Sequence, residues 1–168
     1  YGSTGKFYTQ VKNGAPFDVL LSADQSTPQK LAQENVAIAA TQFTYATGRL
    51  VLWSPDIHGI DTKGDRLQRN DFKFLAIADP KVAPYGAAAI EVLKKLHYYE
   101  RLQPKLVQGE NIAQAYQFVV SRNAELGFVA LSQVWRDGKL QTGSAFRRTT
   151  TKSCFGSRNC WKATTDIS

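Results

Sequence analysis

The chain has 168 residues, 43% hydrophobic and 21% charged, with a formal net charge of +7. That composition can bury a core as one domain or two small lobes and excludes disorder as the default, and no apolar run approaches the ~20 residues of a membrane-spanning helix. Five basic residues and one acid lie between Ser144 and Ser168, whereas the sixteen basic and thirteen acidic residues before them are scattered. There is no basic stripe with interleaved aromatics to follow a phosphate backbone, so nucleic acid is not an expected partner.

In chain order, Gly14 to Asp24 reads as a turn feeding a short apolar strand around Val19-Leu20-Leu21. Thr27 and Pro28 open a helix, Thr27 as cap and Pro28 where no amide is missed. Arg49 to Ser54 is a strand closed by Pro55, followed by a polar loop from Asp56 to Asn70. Phe72 to Ala78 is a second strand, stopped at Asp79-Pro80, and Pro84-Tyr85-Gly86 starts a helix through Ile90, Leu93 and Leu96. Lys105 to Val107 is a short strand, Gly109-Glu110-Asn111 a turn, and Ile112 begins a helix. Leu126 to Leu131 is the last clear strand. Strand, loop and helix in repetition predict an α/β fold with mostly parallel strands.

In such sheets, ligands gather where strands end and helices begin, and a helix N-terminus is suited to an anion. Three junctions qualify: Gly2-Ser3-Thr4-Gly5, Pro84-Tyr85-Gly86 and Gly109-Glu110-Asn111-Ile112. Each residue also has an ordinary reading. Ser3 and Thr4 serve equally as helix caps, Tyr85 as packing, Ile112 as core and Asn111 as a cap. Asp18, Asp24 and Asp79 suit turns and caps better than acid–base work. His58 sits in a loop and His97 at a helix end, where a cation suits the dipole. Trp53 and Trp135 read as core or interlobe packing. No nucleophile–base pair, metal cluster or nucleotide loop stands at informative spacing, so no catalytic residue, cofactor or directly bound metal is expected.

At these junctions the chain resembles the periplasmic molybdate-binding proteins of ABC transporters. The run YGSTGKFYTQVKNGAPFDVLLSAD resembles that family's anion loop, helix and strand; ADPKVAPYGAAAIEVLKKL resembles its second-lobe loop and helix; LQPKLVQGENIAQAYQFVVSRNAELGFVALSQV resembles the next loop, helix and strand. The resemblance implies a two-lobed class II binding protein with an incomplete first lobe. Residues 1–48 would be the remnant of lobe 1 and 49–143 lobe 2, with a hinge strand near its start. It implies binding of molybdate or tungstate, the metal entering only as the oxyanion, and delivery to an inner-membrane ABC permease by a periplasmic, monomeric, non-catalytic protein. Carried over by position, the ligand contacts fall on Ser3 and Thr4 as hydroxyls and on the amides of Tyr85 and Ile112. The family's further Tyr falls on Ala130, so that hydroxyl is missing or replaced, with the Tyr85 phenol as a candidate.

Two departures accompany the resemblance. The family's opening strand–helix unit, which supplies another hydroxyl loop, does not precede Tyr1, and weak or no binding is expected of the chain alone. Residues 144–168 resemble nothing in the family and are expected to lie outside its native fold. Permitted codons allow a shifted reading of this tail, IPQNNYKKLFWQQKLLESNNRHQ, that does resemble the family's continuation, so a frameshift is expected and the nucleotide sequence tests it. Both cysteines, Cys154 and Cys160, sit in this tail; the Cys-free body is compatible with export. The rival readings are the same fold serving sulfate or phosphate, and an effector-sensing lobe of a transcription regulator.

Overall fold

A computed structural model describes residues 1–56, 58–60, 65–136, 139–140 and 143–149. They form two compact units: Thr4–Thr47, and Tyr1–Ser3 together with residues 48–149.

The smaller unit consists of α1 (Thr4–Lys12), α2 (Ser26–Gln33) and a short 3-10 turn at Ala39–Thr41. Helix α2 begins one residue before Thr27, at Ser26; Gln25 holds the cap position without a side-chain bond, and Asp24 ahead of it bonds to the first turn. Asp24 Oδ1 accepts from the Thr27 amide at 2.6 Å and from Ser26 Oγ at 3.0 Å. Pro28 is then in the first turn, where its missing N–H removes no helical bond. The apolar run around Val19 to Leu21 forms no strand. No strand exists in this unit, among the described residues, to pair with its backbone, and Phe17, Val19 and Leu21 remain exposed. The two helices are joined through Glu34, which accepts from the Tyr8 hydroxyl at 2.8 Å and pairs with Lys12 at 3.0 Å.

Those neighbours give Glu34 a pH signature. The Lys12 ammonium first, then the Tyr8 hydroxyl, hold its carboxyl below the usual carboxylate range. With the folded pKa depressed, the contribution to stability is present above the unfolded value and is lost as pH falls through the folded one. A carboxyl-carbon NMR titration should find Glu34 titrating below the usual carboxylate range. Lys12→Ala should move its midpoint upward; an unmoved midpoint would contradict the assignment.

The larger unit contains β1 (Leu50–Ser54), α3 (Arg66–Arg69), β2 (Leu75–Ala78), α4 (Pro84–Lys95), α5 (Tyr99–Leu102) and β3 (Leu106–Gly109). There follow α6 (Ile112–Val120), β4 (Leu126–Ala130), α7 (Leu131–Val134), the pair β5 (Trp135–Arg136) and β6 (Lys139–Leu140), and β7 (Ser144–Thr149). The main sheet has the order β3-β2-β4-β1-β7. Strand β2 runs parallel to β3 and β4, whereas β1 runs antiparallel to both β4 and β7. The sheet is therefore mixed rather than uniformly parallel. β1 joins it beside a strand distant in sequence, so no helical crossover dictates its direction.

Strands β1, β2 and β4 are buried along their whole length, as expected of strands covered on both faces. The period-two alternation divides them between two cores. Leu50, Leu52, Leu75, Ile77, Leu126 and Phe128 pack with Ala89 and Leu93 of α4 and Leu102 of α5. On the opposite face, Val51, Trp53, Ala76 and Val129 pack with Val119 of α6 and Val134 of α7. Helix α4 closes on His97, which adopts φ 58°, while Tyr98 N–H donates to the Leu93 carbonyl at 2.9 Å and His97 N–H to that of Lys94 at 3.0 Å. This is a Schellman C-cap, so His97 has a backbone reason for its place.

The sheet does not end at the boundary expected after Gly143. β7 pairs with β1 from Ser54↔Ser144 to Leu50↔Thr149. Backbone pairing needs no hydrophobic period, which is why this strand is hard to read from its residues. Ser144 is buried; its hydroxyl accepts from the Ile60 amide and donates to the Asp56 carbonyl, both at 2.7 Å. Ser144→Ala should cost about 1–3 kcal/mol, since it leaves both backbone groups without this partner. Urea unfolding checks this, and an unchanged midpoint would contradict it. Residues 150–168, with Cys154 and Cys160, lie outside the described residues.

Candidate functional site

The parallel trio β3-β2-β4 brings three strand ends to one edge of the sheet: Ala78, Gly109 and Ala130. The segments after the first two enter helices α4 and α6, so the sequence-predicted Tyr85 and Ile112 stand at helix starts on that same edge. The β2 and β3 ends are tied directly, Asp79 N–H donating to the Gly109 carbonyl at 2.7 Å.

At the start of α4, Ala83 occupies the cap position with no side-chain hydrogen bond and Pro84 is the first helical residue. Tyr85 is half-buried and packs against the core under α4. Asp79 stays a turn residue, its Oδ1 accepting from Lys81 N–H at 2.9 Å. The α6 start is more fully defined. Asn111 Oδ1 accepts from both Ala113 and Gln114 amides at 3.0 Å, so Asn111 is the cap its position suggested. The Ile112 amide, between cap and capped groups, has no acceptor among the described residues. Gly109 makes this approach possible: a Cβ there would lie 2.7 Å from the Ala115 nitrogen.

Ser3 and Thr4 turn out differently from one another. Ser3 is buried, yet its hydroxyl has no hydrogen-bond partner, so it does not cap α1. A buried hydroxyl left in that condition costs about 1–3 kcal/mol, which a ligand acceptor would offset. Thr4 is buried too, and its Oγ1 accepts from the Ala23 amide at 3.1 Å. That bond uses a lone pair and leaves the hydroxyl proton to donate.

The helix starts Pro84-Tyr85-Gly86 and Asn111-Ile112-Ala113 contain no charged side chain, although the exposed Glu110 directly precedes the second. The donors there are backbone dipoles, which favour an anion without a counter-charge. Among the described residues no group of His, Cys, Asp and Glu is arranged to hold a metal ion. No helix of the described residues is long and apolar enough to cross a membrane.

A family model described as bacterial extracellular solute-binding protein matches residues 1–148. The chain belongs to this family. Within it, the chain is similar to the molybdate-binding protein ModA of Azotobacter vinelandii, 57% identical over 146 residues, covering 87% of this chain and 58% of that protein. It is similar also to ModA of Escherichia coli, 31% identical over 134 residues, covering 77% and 52%. The chain thus spans a little over half the length of these curated relatives. Among solved structures, the periplasmic molybdate-binding protein of Azotobacter vinelandii superposes with a TM-score of 0.86 at 36% identity, covering 92% of this chain and 71% of that one. The substrate-binding domain of a putative molybdenum ABC transporter from Clostridium difficile gives 0.62 at 26% identity, covering 92% and 67%. These likenesses establish the α/β binding-protein fold anticipated from the three junctions, and the family match stops at residue 148, near the end of β7.

One residue at the solute-binding protein's sheet edge escaped the sequence reading. Gln133, on α7, accepts from the Ala130 amide at 2.9 Å and donates to the Ile112 carbonyl at 3.3 Å. The available signal was its place three residues beyond a strand end, where a Gln side chain reaches back to the cap amide. The Ala130 side chain is a methyl and has no oxygen to return the bond, so only this half of a capping box exists.

Proposed function

We propose that this solute-binding protein captures molybdate or tungstate in the periplasm and passes it to an ABC permease of the inner membrane, acting as a monomer and without catalysis. Ser3 and Thr4 donate through their hydroxyls, Tyr85 and Ile112 through backbone amides. The compact unit Thr4–Thr47 is read as the remnant of the first lobe and the larger unit, which continues through β7, as the second. The observation that carries the reading is the Ile112 amide, which has no acceptor among the described residues at the start of a helix whose next two amides are capped. The buried, unbonded Ser3 hydroxyl supports it. The relatives' names supply the identity of the anion.

Neutral donors suit this solute. A dianion loses its hydration on binding, and bonds to a charged group recover about 1.5–3 kcal/mol each when every oxygen is met. Donors set for the larger molybdate leave some unpaired around sulfate, which turns size into selectivity. A thermal-shift series at constant ionic strength tests the assignment. Molybdate and tungstate should raise the melting temperature in proportion to the logarithm of their concentration, because a ligand of the folded state alone stabilises it by mass action. Sulfate giving the larger rise would replace the proposed anion.

A further inference from the structure

We infer that Gln133 is a positioning residue for the anion site, holding the Ile112 amide in the orientation that an oxyanion meets; this rests on the function proposed above. The side chain bridges two elements that the sequence separates, the end of β4 and the first residue of α6. Its Oε1 accepts from Ala130 N–H at 2.9 Å and its Nε2 donates to the Ile112 carbonyl at 3.3 Å. Only one orientation of the amide satisfies a donor on one side and an acceptor on the other, so the network itself fixes which atom is which.

The effect on Ile112 follows from the peptide planes around it. The plane joining Ile112 to Ala113 is held at both ends, its carbonyl by Gln133 and its N–H by Asn111 Oδ1 at 3.0 Å. The plane joining Asn111 to Ile112 is held by its carbonyl, which accepts from Ala115 N–H at 3.1 Å. What remains without an acceptor among the described residues, between these fixed planes, is the Ile112 N–H. Gln133 also occupies the Ala130 amide, so that donor is taken and does not compete for the anion. A donor fixed before the ligand arrives needs no reorganisation on binding, and supporting residues of this kind commonly change affinity without touching the ligand.

Two variants of the full 168-residue chain, titrated with sodium molybdate and followed by amide NMR, test this. Gln133→Met keeps the length and removes both bonds. Gln133→Glu keeps the acceptor for Ala130, and with it the link that terminates β4, while removing the donor to Ile112. Both should weaken molybdate binding about tenfold, the scale typical of supporting residues around a binding site. In Gln133→Met the response of the Ile112 amide to molybdate should shrink while that of Tyr85 persists. A purely structural role would lower the melting temperature and leave the response of Ile112 at saturation unchanged. Wild-type affinity with a wild-type Ile112 response, in either variant, overturns the inference alone. A wild-type chain whose molybdate shifts lie only away from Ser3, Thr4, Tyr85 and Ile112 overturns the proposed function, and this inference with it.

Discussion

Gly86→Ala should destabilise the larger unit by about 3 kcal/mol, near the upper end of what forced overpacking costs. Helix propensity alone predicts the reverse, since Ala is favoured over Gly by about 1 kcal/mol inside a helix. Position decides against propensity here. Gly86 stands in the first turn of α4, directly over the end of β2, and a Cβ would fall on the Ala78 carbonyl oxygen and lie 2.8 Å from the carbonyl carbon of Asp79. Both obstacles are backbone, so no side chain can swing aside. The helix start must lift away from the strand end, taking the adjacent Tyr85 amide with it and loosening Ala88, Ala89 and Leu93 beneath. Urea unfolding should show a clearly lowered midpoint, and the anion response of Tyr85 should be lost. An unchanged or raised midpoint would contradict the packing described at this junction.

Trp53→Ala should cost about 3–5 kcal/mol, the range for removing a buried aromatic. Trp53 is 1% exposed in β1, the strand shared by β4 and β7, and lies against Tyr116 of α6 with ring centroids 5.4 Å apart. The loss therefore reaches the sheet and the helix that carries Ile112. Against a typical domain stability of about 5–15 kcal/mol, it takes a large share. Trp53→Phe should recover part of it, because some ring packing survives. Denaturant midpoints order the three proteins; equal midpoints for wild type and Trp53→Ala would refute the central place given to this residue.

The central strands were legible because burial on both faces writes them as continuous apolar runs, as in Leu50-Val51-Leu52-Trp53 and Leu75-Ala76-Ile77-Ala78. Direction was not, since nothing in Leu50 to Ser54 says whether its neighbour runs with it or against it. Apolar character failed in the opposite sense around Val19 to Leu21, where a strand-like run lacks a strand to pair with. β7 failed through the Arg- and Thr-rich composition of Ser144 to Thr149, because its place depends on the backbone of β1.

The site was legible to the same depth. Pro84-Tyr85-Gly86 and Gly109-Glu110-Asn111-Ile112 announce helix starts by their turn residues, and Asn111 takes the role its chemistry suggests. A hydroxyl at Ser3 fits a cap and a ligand contact equally well from sequence. Only the structure shows it buried without a partner. Gln133 was invisible because its importance lies in reaching Ile112, twenty-one positions earlier in the chain.

Ser3, Thr4, Tyr85 and Ile112 are the contacts proposed for a tetrahedral oxyanion of molybdate size. An amide-resolved NMR titration of the 168-residue chain with sodium molybdate, then with sodium sulfate at equal ionic strength, tests these contacts directly. A per-residue readout detects weak binding as well as tight. Saturable shifts are expected at these four amides with molybdate, and little change with sulfate. Equal responses to the two anions, or shifts confined to other residues, would contradict it.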